Sequence, residues 1–224
     1  DAIRRGLGTQ KDINEAIIWY KMAAENGNPM AFANLGQIYL EGEGVVKDIT
    51  EALEWLKRGA ESDNPYSQMR LGDSYLAGQG VERSKAEAEK WYERAMTNLE
   101  HQRLLRLGNN YLFGKGVERN LVTSFKNFAE TAKGGNAEGQ FRVGDALYKG
   151  LGIPKNKRDA IQWYSKAANK GNIFAKHALA QAYFNGDGIR QDRLKALKML
   201  EEAAEEGHIE SLFALGQLYL QGDF

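Results

Sequence analysis

An all-α solenoid, a right-handed superhelix of stacked helix–turn–helix units, is the fold class this chain predicts, and three observations predict it. The first is a fixed period. A leucine-associated glycine recurs at Gly36, Gly72, Gly108, Gly144 and Gly216, with Ala180 as the one replacement, and the spacing is always 36 residues or a multiple of it. A tyrosine three residues on recurs as Tyr39, Tyr75, Tyr111, Tyr183 and Tyr219, with Leu147 in the remaining copy. The second observation is a polar helix-starting residue at one register, and the third is a Gly-x-Gly loop at another. A period between about 20 and 50 residues marks an array of stacked units, each unable to bury its apolar face alone. Six copies cover residues 9–44, 45–80, 81–116, 117–152, 153–188 and 189–224. Asp1–Gly8 reads as the end of a preceding unit and its loop, and Gln221–Phe224 breaks off inside a loop, so a fragment of a longer protein is expected.

Each unit opens at Asp12, Asp48, Ser84, Asn120, Asn156 or Asp192, side chains that accept hydrogen bonds from the free N–H groups of a helix start. Glu15, Glu51 and Glu87 follow three residues later, the capping-box spacing. Helix A of the unit begins there. Its apolar face in the first copy is Ala16, Ile17, Trp19, Tyr20, Ala23 and Ala24, one broad sector at 100° per residue, with Ile18, Met22 and Glu25 opposite. Gly27, Gly135, Gly171 and Gly207 end helix A, because glycine accepts the left-handed backbone at a helix C-terminus. Asn28-Pro29 and Asn64-Pro65 then supply a cap and a proline at the first helical position.

Helix B carries Ala31, Leu35, Gly36 and Tyr39 in the first copy. Glycine inside a helix costs about 1 kcal/mol relative to alanine, so its recurrence predicts a neighbouring helix packed too close for a side chain. The loops pair Gly42/Gly44, Gly78/Gly80, Gly114/Gly116, Gly150/Gly152 and Gly186/Gly188 with Val45, Val81, Val117, Ile153 and Ile189, β-branched plugs between units. Twelve antiparallel helices in six hairpins are expected, with axes about 8–10 Å apart. Copy three departs from this pattern: Thr97–Arg103 lacks the turn glycine, the asparagine cap and the small residue of helix B, and copy four has Asn127 in place of tryptophan.

Composition removes several classes of function. With 30 basic and 30 acidic residues, no bulk attraction draws the 224-residue chain to nucleic acid or an anionic membrane. The absence of cysteine excludes disulfides, thiolate metal sites and cysteine catalysis, and leaves the compartment open between cytoplasm and bacterial periplasm or envelope. No apolar run reaches the roughly 18 residues of a membrane span.

The residues Ala52, Trp55, Leu56, Gly59, Ala60, Ser67, Leu71, Gly72, Tyr75, Gly78, Gly80 and Val81 resemble the unit of the Sel1-like repeat family, relatives of the tetratricopeptide repeats. The resemblance covers nearly the whole chain. It implies an adaptor or scaffold that binds another protein, of the kind found in bacterial signalling, envelope assembly and host-cell interaction. This chain departs from the secreted members that carry a cysteine pair in every repeat. The motif residues are packing residues, so the resemblance speaks to fold more than to function.

Other motifs yield to structural readings. Gly114-Lys115-Gly116 follows a helix rather than a strand and shares its spacing with every other copy, which makes it a turn and not a phosphate loop. Trp19, Trp55, Trp91 and Trp163 occupy one slot and read as core residues rather than a stacking ladder for glycans or bases. His101, His177 and His208 show no metal-ligand spacing, and His208 replaces the cap asparagine of helix B. Glu201, Glu202, Glu205 and Glu206 form a solvated face. No catalytic, metal or cofactor site is expected.

What remains is the helix-A stripe turned away from the core, which lines the concave side in stacked hairpins of this type. Ile18 and Met22 make an apolar spot, open to a partner or else covered by a preceding repeat; Arg58, Lys90, Arg94, Lys126, Arg158, Lys166 and Lys198 make a basic ridge, with Glu54, Glu130 and Gln162 interspersed. The expected partner is a protein or peptide of acidic character; the competing reading is a solvated face balanced by neighbouring glutamates. Two other functions stay open: an immunity-type module that inhibits a partner enzyme or toxin, and a cell-envelope module that binds glycan through exposed tryptophans.

Overall fold

The computed structural model describes residues 12–221, so the expectations for Asp1–Gly8 and for Gly222 lie outside the described residues. The chain divides into two compact units, Asp1–Glu100 and His101–Phe224. Eleven helices and no strand are present among the described residues. The first unit holds α1 (Ile13–Glu25), α2 (Pro29–Glu41), α3 (Ile49–Glu61), α4 (Pro65–Ala77) and the first part of α5 (Lys85–Phe113). The second holds the rest of α5, then α6 (Leu121–Lys133), α7 (Ala137–Lys149), α8 (Lys157–Ala168), α9 (Ile173–Asn185), α10 (Arg193–Glu205) and α11 (Ile209–Gln221).

The caps form where the sequence places them. Asp12, Asp48, Asn120, Asn156 and Asp192 are extended, and each side chain accepts the N–H three residues on at 2.9–3.1 Å. Ser84 does the same at 3.2 Å. The glutamates of the capping-box spacing serve another purpose. Glu15 and Glu51 accept the indole N–H of Trp19 and Trp55, one turn further along. Asn64, Asn136 and Asn172 cap their helices through Ser67, Gly139 and Ala175 at 2.8–3.0 Å. Asn172→Ala is expected to cost about 1 kcal/mol, read as a lower urea midpoint with an unchanged slope.

Four of the helix-B glycines, Gly36, Gly72, Gly108 and Gly144, meet helix A of the following unit, while nothing lies within 4 Å of a Cβ on Gly216. A Cβ on Gly36 would lie 2.5 Å from the Leu56 side chain, and one on Gly144 would lie 2.6 Å from the Tyr164 ring. These contacts exclude any side chain, which is why the intrinsic cost of glycine is tolerated. In the first unit, Leu35, Ile38, Phe32, Ile17 and Tyr20 pack into one cluster and Leu53, Ala60 and Leu71 into another. In the second, Phe128, Val143, Leu147, Ile161, Tyr164 and Leu179 form a continuous core. Val45, Val81, Ile153 and Ile189 pack against these clusters as the expected plugs.

Copy three corrects the expectation of twelve helices in six hairpins. Its two helices are one uninterrupted helix, α5, of 29 residues. The register explains why. The left-handed turn residue of the other copies is Gly27, Asp63, Gly135, Gly171 or Gly207, all with positive φ, and the position 36 residues after Asp63 is Leu99. A left-handed leucine costs about 1–2 kcal/mol. Glu100 stands at the cap asparagine position, removing the competing helix start. The hairpin crossing is also blocked. In copy four a Cβ on Gly139 would sit 2.8 Å from the Ala132 nitrogen and the Thr131 Cβ. The matching residue in copy three is Arg103, and the counterpart of Ala132 is Met96, which is 70% exposed.

Contacts between units of the repeat survive on each part of α5. In the first compact unit, Gly72 abuts the Tyr92 ring, whose hydroxyl donates to Asp73 at 2.8 Å. Burial and the Asp73 carboxylate push the Tyr92 phenol up to about 12. In the second, Gly108 abuts the Phe128 ring and the Ser124 hydroxyl donates to the Gly108 carbonyl at 2.8 Å.

Candidate protein-binding surface

The exposed stripe of each helix A follows from its capping register: once Asp12 or Asp48 sets the helix phase, alanines and aromatics face helix B and every fourth residue opposite faces solvent. Ile18, Met22, Glu54, Arg58, Lys90 and Arg94 are exposed in the first compact unit, and Lys126, Glu130, Gln162, Lys166 and Lys198 in the second. Ile18 and Met22 are 58% and 47% exposed, and Trp19 joins them at 53%. The apolar spot is therefore larger than the sequence pattern suggested, because Trp19 lies outside the core to which its slot was assigned.

The cations are less free than a basic ridge requires. Arg58 stacks over Trp55 at 4.6 Å, Arg94 over Trp91 at 5.5 Å and Lys166 over Trp163 at 4.4 Å, each cation three residues after its tryptophan. Such stacks contribute roughly 0.5–1 kcal/mol at exposed sites. Arg94 also pairs with Asp63 at 2.7 Å, and Lys90 pairs with Glu87 at 2.6 Å. The Glu87 carboxylate holds the Lys90 ammonium above its usual value. Glu130 pairs with Lys133. Recurrence of tryptophan and cation at i and i+3 is legible in the sequence once the tryptophan slot and the exposed slot are read together. Trp55 itself is 8% exposed, with its indole held by Glu51 at 2.9 Å and its ring tilted against Phe32.

The Gly-x-Gly loops act as structural turns. Gly114 and Gly116 both have positive φ, as do their counterparts in the other loops. The loop residue Asp187 accepts from Tyr148 and from Lys157, which pins the fifth loop to α7 and α8. Lys157 and then Tyr148 hold the Asp187 carboxyl below its ordinary value, while burial and Asp187 push the Tyr148 phenol up to about 12. His101 is buried beside Gly134. His177 and His208, separate in sequence, lie with ring centroids 4.8 Å apart, a neighbourhood that follows from their places in consecutive B helices. Among the described residues no group of three or more histidine, aspartate or glutamate side chains is placed to hold a metal ion, and no helix is long and apolar enough to cross a membrane.

The Sel1 repeat model matches residues 2–28, 29–64, 65–96, 104–136, 137–172, 173–208 and 209–224. Residues 97–103, which it leaves out, are the middle of α5, where the hairpin turn is missing. Among solved structures, a protective antigen of uropathogenic Escherichia coli with this repeat fold is 33% identical over 97% of the chain, with a TM-score of 0.52. The chain spans 47% of that protein's length. A Sel1 repeat protein from Oxalobacter formigenes is also 33% identical, covering 91% of this chain and 84% of its own, with a TM-score of 0.49. No curated protein matches the chain. Seven family matches spread over two helical units whose caps, turn glycines and interhelical contacts keep one 36-residue register show that the chain belongs to the Sel1 repeat family.

Proposed function

We propose that this chain is a non-catalytic scaffold that binds a protein or peptide through exposed side chains on the A helices of each compact unit. Sel1 repeat proteins are generally scaffolds rather than catalysts. The observation that carries the reading is the exposed cluster of Ile18, Trp19 and Met22, three large apolar side chains on one helix, each about half exposed or more. Large apolar side chains of this kind anchor interfaces, and burying the exposed half of each contributes on the order of 1 kcal/mol. Cations follow on later A helices. Lys126 and Lys198 face solvent, and Arg58, Arg94 and Lys166 lie over tryptophan rings. An acidic partner segment suits that arrangement, since a stacked guanidinium is already ordered and loses little further freedom on binding a carboxylate. The glycan-binding alternative has less support: of the four tryptophans only Trp19 is exposed, while Trp55 is buried and cations lie over the rings of Trp91 and Trp163.

Affinity capture from lysate of the source organism tests the proposal, with two variants checked for equal helicity by circular dichroism. Ile18→Ser with Met22→Ser is expected to weaken partner binding by tenfold or more. Lys126→Glu with Lys198→Glu is expected to weaken it less and to reduce its salt dependence. A partner that both variants retain at wild-type affinity would remove the A-helix face from consideration.

A further inference from the structure

His208 occupies the position at which Asn28, Asn64, Asn136 and Asn172 cap helix B, and it performs the same task with a ring nitrogen. The Ser211 N–H is shared between His208 Nδ1 at 3.2 Å and the His208 carbonyl oxygen at 3.1 Å, while the Ala175 N–H lies 2.8 Å from the Asn172 side chain. The Ser211 hydroxyl, fully buried, lies 2.9 Å from the same Nδ1 and 2.8 Å from Nδ1 of His177 on α9. Counting protons assigns this network. His208 Nδ1 receives a backbone N–H, so it carries a lone pair; the Ser211 hydroxyl donates to it, and His177 donates its Nδ1–H to the hydroxyl oxygen. Both rings are then neutral, with every contact filled.

We propose that the His177–Ser211–His208 cluster is a pH-sensitive latch, closed over the first turn of α11 when both rings are neutral and opened by acid. A further proton has two places to go. On His208 Nδ1 it points at the Ser211 N–H and hydroxyl and removes the side-chain part of the cap, leaving the Ser211 N–H only the His208 carbonyl; asparagine never does this. On His177 Nε2 it places a charge in a half-buried site beside the second imidazole. Burial first, and then His208, hold His177 below the ordinary histidine value.

The surrounding charges do not cancel this. From α11, the Glu210 carboxylate, 3.3 Å from His208 Nε2, opposes the lowering of His177, but it ranks behind burial and His208 and is itself largely exposed and screened. From α9, Phe174 meets the His208 ring edge-on, and Lys176 is turned to Glu202 and Glu206 of α10. The sign follows from His177: a depressed folded value means the unfolded chain binds more protons. The contribution is complete above the ordinary histidine value of about 6.5 and is lost as pH falls through the lower folded value.

Amide exchange at Ser211, corrected for the intrinsic pH dependence, tests the latch between pH 7.5 and 5 in the wild type and in His208→Asn. The wild type is expected to lose protection about fivefold, the worth of one N-cap, while His208→Asn, which restores the cap residue of the other copies and leaves only His177 to titrate, loses less than about twofold. Equal protection of the wild type at both pH values, or an equal loss in His208→Asn, would overturn it.

Discussion

Gly152→Ala is expected to destabilise the second compact unit by about 2–5 kcal/mol, while the same change at the corresponding position of the preceding loop, Gly116→Ala, costs no more than about 1–2 kcal/mol. Both glycines have positive φ, 75° and 71°, so both alanines meet the left-handed penalty. The surroundings differ. A Cβ on Gly152 would fall 2.0 Å from the Leu121 carbonyl oxygen and 2.8 Å from the Val122 nitrogen, whereas nothing lies within 4 Å of one on Gly116. Leu121 and Val122 begin α6, and backbone at a capped helix start cannot swing aside as a side-chain tip can. Relief requires moving the loop off α6, which unseats Ile153 from the core. Urea unfolding of the two variants separates the effects. Indistinguishable midpoints would mean that the close packing of loop on helix contributes nothing.

The parts of this fold legible in the sequence are those where one residue type is the only solution. Capping positions, left-handed turns and glycines beneath a neighbouring ring each admit few side chains, and a repeat displays each of them several times. The exposed stripe was legible for a related reason, since helix phase is set by the caps: all eleven candidate residues are exposed. What the pattern did not show is who engages the cations. Arg58 over Trp55 and Arg94 between Trp91 and Asp63 depend on rotamers, and one slot read at a time cannot give them. Trp19 misled because its slot is buried in Trp55, where Phe32 and Arg58 close over the ring, and the first copy has Met22 where Arg58 stands in the second. The histidine cluster was hidden differently: His177 and His208 are 31 positions apart in sequence and meet only through the stacking of α9 beside α11.

Restoring the missing turn should convert α5 into a hairpin, and a disulfide can report it without background because the chain has no cysteine. Four positions hold the helix open, and each has a tested replacement elsewhere in the chain: alanine for Met96, glycine for Leu99, asparagine for Glu100 and a small residue for Arg103. In copy two the ideal Cβ of Gly59 lies 2.3 Å from the Ser67 hydroxyl, so those positions meet across the hairpin. Their counterparts in copy three are Ala95 and Arg103. In a continuous helix, eight residues at 1.5 Å rise hold these two about 12 Å apart, beyond the roughly 7 Å limit for a disulfide. Ala95→Cys with Arg103→Cys is therefore expected to stay reduced under mild oxidant in the otherwise natural chain. Adding Met96→Ala, Leu99→Gly and Glu100→Asn should bring near-complete intramolecular cross-linking, visible by mass. Leu99→Gly alone removes the left-handed penalty, yet Met96 still blocks the crossing and Glu100 still supplies no cap, so it should cross-link only weakly. Cross-linking of the two-cysteine chain without the turn residues would show that the hairpin forms despite them, and a reduced five-residue variant would show that another feature of copy three keeps α5 straight.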